Sequence, residues 1–224
     1  MRRPSAAMIG VLCTGCRLGI TVGILNLAKN NNIPLIISGG TPFEGQGYKT
    51  NIMKVNPNGG MSSFVSGYLY QIVRNPKWIM NSDSLITQGK EFYYYFYPGR
   101  KKLAEKMGIT QISPFHAHLH WRENEILRTI KTELNWREYP GIKSTWRGDC
   151  EIAILKDYLY KKTLGFNDKD DGLSSLIRDH QLTRAEALER LNNEGDVPEQ
   201  VLQDIFEKHG LDYSDLKIAL EKIV

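Results

Sequence analysis

The sequence predicts an α/β protein: part of a parallel-sheet domain over residues 1–170, with a helical appendage over residues 171–224. Three observations predict it. Apolar residues at helical spacing between Cys16 and Asn30 lead into the run Ile33-Pro34-Leu35-Ile36-Ile37, which stops at Ser38-Gly39-Gly40-Thr41-Pro42. Helix, β-branched strand and glycine loop in succession is the grammar of a buried parallel strand. A second short strand pattern, Ile109 to Ser113, is broken at Pro114, and from Asp171 onward the chain becomes short helices with clear starts. At 224 residues and 41% hydrophobic composition the chain buries one real core, which favours one domain with an appendage over two full domains.

The elements follow in order. Leu18, Val22 and Leu25 recur at helical spacing, and Asn30-Asn31-Asn32 ends that helix. Phe43 to Gly60, rich in Gly and Asn, reads as a long irregular excursion, which is unusual without a function. Met61–Val73 and Gly99–Met107 read as helices on either side of the aromatic block Phe92–Tyr97, whose rings suit a core or subunit interface better than a stacking platform. Trp121–Leu134 resumes helical periodicity through Ile126, Leu127 and Ile130. Ile152, Ile154, Leu155, Tyr158 and Leu159 mark another helix, which stops near Gly165. In the appendage, Thr183 and Glu186 have capping-box spacing, Asp196-Val197-Pro198 fits a cap with Pro near the first turn, and Tyr213-Ser214-Asp215 opens the last helix.

Several function classes are disfavoured. A net charge of +4 with only short basic clusters argues against nucleic acid. No run of about 18 apolar residues is present to span a membrane, and the apolar patch Ala6–Leu12 is short for a signal peptide. Three cysteines, two of them in a C-x-x-C pair, do not form a secreted disulfide framework, so the expected location is the cytoplasm.

Seven groups of residues could carry chemistry. The turn Cys13-Thr14-Gly15-Cys16 places two thiolates within reach of one metal ion, and Cys150 is a possible third ligand; the alternative is reduced thiols that pack a helix start. His116, His118 and His120 share one face if the chain there is extended, and are solvated loop residues otherwise. Glu123 and Asn124 open a helix, where an acidic residue suits the dipole. Arg147 and Asp149 flank Gly148 before a helix, in position to grip an anion and to cap. Lys156 is a candidate substrate contact on that helix, and Glu44 another beside the glycine loop. Gly39, Gly40 and Thr41 follow a strand, where backbone N–H groups can face a phosphate, or simply form a tight turn.

Two stretches carry a family resemblance. The first is Cys13-Thr14-Gly15-Cys16-Arg17 with Ile33–Ile37 and Gly40-Thr41-Pro42-Phe43-Glu44. The second, more specific, is Ser144-Thr145-Trp146-Arg147-Gly148-Asp149-Cys150, continued by Leu155-Lys156-Asp157-Tyr158, Leu164-Gly165-Phe166, Leu173–Arg178 and Leu182–Ala187. Together they resemble the N-acetyl sugar amidotransferases, which are PP-loop ATP pyrophosphatases of the adenine nucleotide alpha-hydrolase-like superfamily. The resemblance implies that ATP with Mg adenylates an acetamido oxygen of a nucleotide-linked N-acetyl sugar, and that ammonia from a glutaminase partner displaces AMP. The product it implies is an acetamidino sugar of surface polysaccharide. It makes Arg147 and Asp149 candidate catalytic residues, Glu44, Glu123, Asn124 and Lys156 substrate contacts, with Glu123 and Asn124 on sugar hydroxyls, and Cys13, Cys16 and Cys150 ligands of zinc or an iron–sulfur cluster; Gly39, Gly40 and Thr41 are a candidate cofactor-binding substitute for the family's own loop.

The family's ATP loop, S-G-G-x-D-S, has no counterpart here, since only twelve residues precede Cys13 and Ser38-Gly39-Gly40-Thr41-Pro42-Phe43 lacks the Asp-Ser pair. The sequence therefore fits the substrate-binding portion of such an enzyme, with an ATP-binding half supplied elsewhere or a homo-oligomer as the assembly. Two alternatives are a tRNA-thiolation-like sulfurtransferase that uses the three cysteines, and a non-catalytic binding subunit.

Overall fold

The structure, a computed structural model, describes residues 9–41, 43, 56, 65–67, 69–70, 72–73, 76, 85–86, 89–90, 93, 100–142, 150–194 and 196–221. Among them it is mostly helical, with one two-stranded parallel sheet. The chain falls into two compact units, one of Gly10–Pro42 and Gly47–His120, the other of Met1–Ile9, Phe43–Gln46 and Trp121–Val224.

In the sheet-containing unit a 3-10 turn at Gly10–Cys13 runs into α1 (Thr14–Leu18), a wider π turn at Gly19–Gly23 and α2 (Ile24–Asn30). The C-x-x-C pair therefore sits where the helix starts, with Cys13 at its N-cap. Asn32, at φ +54°, turns the chain out of the helix. Strand β1 (Leu35–Ile37) follows, and after α3 (Arg100–Lys106) comes β2 (Thr110–Ile112). The strands pair in parallel, Leu35 opposite Thr110 and Ile37 opposite Ile112. Ile36 packs on Leu25, Ala28, Ala104 and Ile109, which seats one face of the sheet on α2 and α3.

Two expectations change in this unit. The strand at residues 33–37 is parallel but not buried: Leu35 is 43% and Ile37 64% exposed. Strand side chains alternate between faces, and among the described residues the helices cover the face of Ile36. The histidines do not lie on an extended strand either. Pro114 occupies the first turn of α4 (Pro114–Ala117), so His116 is helical and His118 follows the helix end; His116, His118 and His120 are all exposed. Proline suits a first helical turn because its missing N–H has no partner there in any case.

The other unit is helical: α5 (Glu123–Glu133), α6 (Glu151–Leu164), α7 (Asp168–Arg178), α8 (Arg184–Glu194), α9 (Glu199–Lys208) and α10 (Tyr213–Glu221). Its helix ends are set by local chemistry. Asn167 and Asp170 form a reciprocal capping box on α7, and Thr183 and Glu186 exchange the same bonds at the start of α8. Gly165 ends α6 in the left-handed region at φ +80°, with its N–H on the Lys161 carbonyl at 3.0 Å. At Asp196-Val197-Pro198 proline itself is the N-cap of α9, and no side chain caps that helix.

Two apolar clusters hold the helices together. Ile142, Ile154, Leu202 and Ile205 join α6 to α9, so this core draws from both sides of residue 170. Leu173, Leu176 and Ala187 join α7 to α8, with Trp121 against them. Gly141 takes φ +79°, a backbone region that strains any residue with a side chain, and a Cβ there would crowd the Val201 side chain at 3.0 Å.

Candidate functional site

In the sheet-containing unit the two strands end side by side on polar residues. The Ser38 N–H donates to the Ile112 carbonyl at 2.9 Å, and the Ser38 and Ser113 hydroxyls are 2.6 Å apart. A cleft of about 500 Å³ opens here between the sheet and α3, lined by Ile36, Ser38, Lys101, Glu105, Gln111 and Ser113 among others. The Gln111 amide nitrogen is buried with no hydrogen-bond partner. Such a donor, with Lys101 and two hydroxyls nearby, suits a ligand rich in oxygen acceptors. Gly39, Gly40 and Thr41 leave the end of β1 as irregular chain; Thr41 is buried, and Gly40 approaches His116 Nε2. Carboxyl ends of parallel strands are where α/β sheets bind ligands.

In the helical unit Glu123 occupies the first turn of α5 and is buried. Both of its carboxylate oxygens accept from the Arg190 guanidinium, at 2.6 and 3.1 Å, and Arg190 Nε donates to Glu194 at 3.0 Å. Burial lowers the Arg190 pKa, but the Glu123 hydrogen bonds and charge, with Glu194, outweigh it and hold the guanidinium above its usual range. Gln181 completes the arrangement by accepting from the Glu123 N–H and donating to the Trp121 carbonyl. Asn124, next to Glu123, is exposed. Lys156 is buried on α6 with its ammonium 5.8 Å from the Tyr160 ring centroid.

Cys150 is half-buried at the N-cap of α6 and makes no capping hydrogen bond. Glu151 beside it is saturated. Lys208 donates to its carboxylate at 2.6 Å, Tyr139 Oη at 3.1 Å, and His209 Nε2 lies 2.8 Å away. Hydrogen bonds from Lys208 and then His209 hold its pKa down at about 2, so it clamps α6 to the end of α9 and is a poor general base. Asp168, at the start of α7, is the opposite case: burial, then the charge of Asp171, pushes its pKa up to about 6.

Cys13 and Cys16 belong to the sheet-containing unit and Cys150 to the helical one, all as free thiols. Among the described residues no group of three or more His, Cys, Asp or Glu side chains is placed to hold a metal ion. Glu44, Arg147 and Asp149 lie outside the described residues, as do most of the irregular excursion after Phe43 and of the aromatic block. The partners Arg190 and Gln181 and the pairing of Lys208 and His209 with Glu151 escape sequence reading, because each lies more than 55 positions from its counterpart. The Asn167-x-x-Asp170 box was a usable local signal for the start of α7.

The chain was compared with known families and proteins. Residues 133–223 match the family described as the C-terminal domain of LPS biosynthesis protein WbpG-like. The matched segment contains α6 through α10, with Cys150 and Lys156. No curated protein and no solved structure matches the chain. No helix among the described residues is long and apolar enough to cross a membrane.

Proposed function

We propose, from a segment similar to the C-terminal domain of a lipopolysaccharide biosynthesis protein, that this chain acts in making surface polysaccharide as an N-acetyl sugar amidotransferase or its substrate-binding portion. The observation that carries the reading is the match over residues 133–223, which contains α6 through α10 of the helical unit. The proposed reaction converts the acetamido group of a nucleotide-linked sugar to an acetamidino group. The acetamido oxygen attacks the α-phosphorus of ATP and pyrophosphate leaves; ammonia from a glutaminase then adds to the activated carbon and AMP leaves. The strand-end cleft with Gly39, Gly40 and Thr41 is the proposed nucleotide side, Arg147 and Asp149 the proposed catalytic pair, and Asn124, Lys156 and Glu44 the proposed sugar-nucleotide contacts. Glu123 serves this reading by fixing the start of α5, since Arg190 occupies both of its oxygens.

The test is turnover. With the ATP-binding half supplied, ATP, ammonia and a nucleotide-linked N-acetyl sugar should give sugar-dependent pyrophosphate release, and Arg147→Ala should lower it at least a hundredfold. Pyrophosphate release that ignores the sugar, or none with any ATP-binding partner, removes the amidotransferase reading and leaves a binding subunit.

A shared metal on Cys13, Cys16 and Cys150, as zinc or an iron–sulfur cluster, is a separate proposal, and no step above uses it. The C-x-x-C spacing supports it, because the two thiols stand one helical turn apart. Purified protein should then carry metal that Cys150→Ser removes. Metal that is absent, or unchanged by that substitution, ends the proposal.

A further inference from the structure

Gln111 is out of keeping with its place in the sheet. It stands opposite Ile36 in the parallel ladder, so its side chain emerges on the face where Ile36 packs against Leu25, Ala28, Ala104 and Ile109. An apolar residue would continue that face. The glutamine instead keeps a buried amide nitrogen that meets no hydrogen-bond partner among the described residues. A buried donor left unmade costs stability, because it has given up water and received nothing in return. Gln111 also lines the cleft of about 500 Å³, so there is room beside it for the missing acceptor.

The rest of the lining selects the acceptor. Ile36, Ala104 and Ile109 give apolar walls. Ser38 and Ser113 follow Ile36 and Gln111 by two residues and so continue the same face, and their hydroxyls, 2.6 Å apart, form a short polar edge. The pair shares one proton between its members and keeps lone pairs that can accept from a ligand N–H. The charged side chains of the described lining are Lys101 and Glu105, both exposed, one turn apart on α3 and opposite in sign. A phosphate would meet the Glu105 carboxylate as readily as the Lys101 ammonium. A neutral carbonyl beside an N–H escapes that repulsion and satisfies the orphan donor. We infer that the cleft binds an uncharged ligand through a planar amide edge, with Gln111 donating to the ligand's carbonyl oxygen. That edge belongs either to a pyrimidine base such as uracil or to the acetamido group of an amino sugar; the chemistry at Gln111 is the same. The choice of these two sources rests on the proposed function. Binding needs no turnover, so failure of the amidotransferase reaction and failure of this site are seen separately.

The experiment uses the full chain as wild type, Gln111→Met and Gln111→Glu. Methionine keeps the length of the side chain and removes the donor, and glutamate keeps its shape and turns the donor into an acceptor. Binding titrations are run with uridine, with N-acetylglucosamine and with pyrophosphate, and thermal melts are recorded without ligand. The wild type should bind uridine or N-acetylglucosamine saturably, with no competition from pyrophosphate, and each variant should bind roughly tenfold more weakly or worse. Tighter binding of uridine identifies a pyrimidine base as the source, and tighter binding of N-acetylglucosamine an acetamido group; equal binding means that the amide edge alone is read. Without ligand, Gln111→Met should melt at the same temperature as wild type or higher, because it no longer buries an unmade donor. The site is disproved by a wild type that binds neither neutral probe, by pyrophosphate that displaces them, or by variants that keep wild-type affinity. A Met variant that melts lower or does not fold would make Gln111 a structural residue and disprove it too.

Discussion

Replacement of Glu123 by alanine is expected to destabilise the helical unit by about 3–5 kcal/mol, the cost of leaving a largely buried guanidinium without its main counter-charge. Glu123 meets Arg190 through two parallel bonds, and both side chains are mostly removed from solvent, so water replaces the lost carboxylate poorly. Glu194 remains on Arg190 Nε, but one of its own oxygens is already buried without a hydrogen bond. Removing both charges should be far milder. Glu123→Leu with Arg190→Met takes away the pair together and is expected to cost less than about 1.5 kcal/mol. Urea denaturation of the single and double variants checks this. Additive losses would mean that the two side chains act independently and that the fork is not what orders α5 against α8.

The second large effect is a pH dependence centred on Asp168. Its folded-state pKa, pushed up to about 6 by burial and then by Asp171, lies above its ordinary value of 3.8. The folded protein therefore holds this proton more tightly than the unfolded chain does. The stability it contributes is full below about pH 4, falls as pH rises from about 4 to about 6, and changes no further above that. The largest loss is about 3 kcal/mol. Asp168→Asn cannot ionise, so at pH 4 it should match wild type, and at pH 7 it should be more stable by about 2–3 kcal/mol. Denaturation midpoints between pH 4 and 7 give the answer; a difference between the two proteins that does not vary with pH would sink it. Glu151 works in the other direction. Its contribution is present above about pH 4.5 and is lost only as pH falls toward 2, so it stays out of the Asp168 window.

How much of this was legible in the sequence depended on whether the cause was local. The strands at Leu35–Ile37 and Thr110–Ile112 were readable from β-branched runs that end in turn residues. Their parallel pairing followed from the same grammar, and the exposure of Leu35 and Ile37 did not, because an apolar strand looks the same whether one face is covered or both. Thr183–Glu186 was readable as a helix start; Asn167–Asp170 uses less familiar residues for the same bonds, and the helical appendage was expected only from about Asp171. The alternation of His116, His118 and His120 suggested a shared strand face, and Pro114 instead started a helical turn. At the site, Lys156 was visible as a candidate but not as a buried one, although its spacing from Ala153 and Tyr160 offered that clue. The Arg190 fork was invisible, since nothing in α8 announces a partner 67 positions upstream.

The strand pairing also bears on how the chain reaches its native state. The hydroxyl pair at the strand ends joins residues 75 positions apart, so the sheet forms only after a long loop closes. The caps on α7 and α8 act within three residues, and those two helices pack on each other across a short turn. Local contacts form fast and distant ones slowly. The α7–α8 hairpin is thus placed to consolidate early in refolding, with β1 and β2 joining last, while Leu35 and Ile37 remain adhesive to other chains.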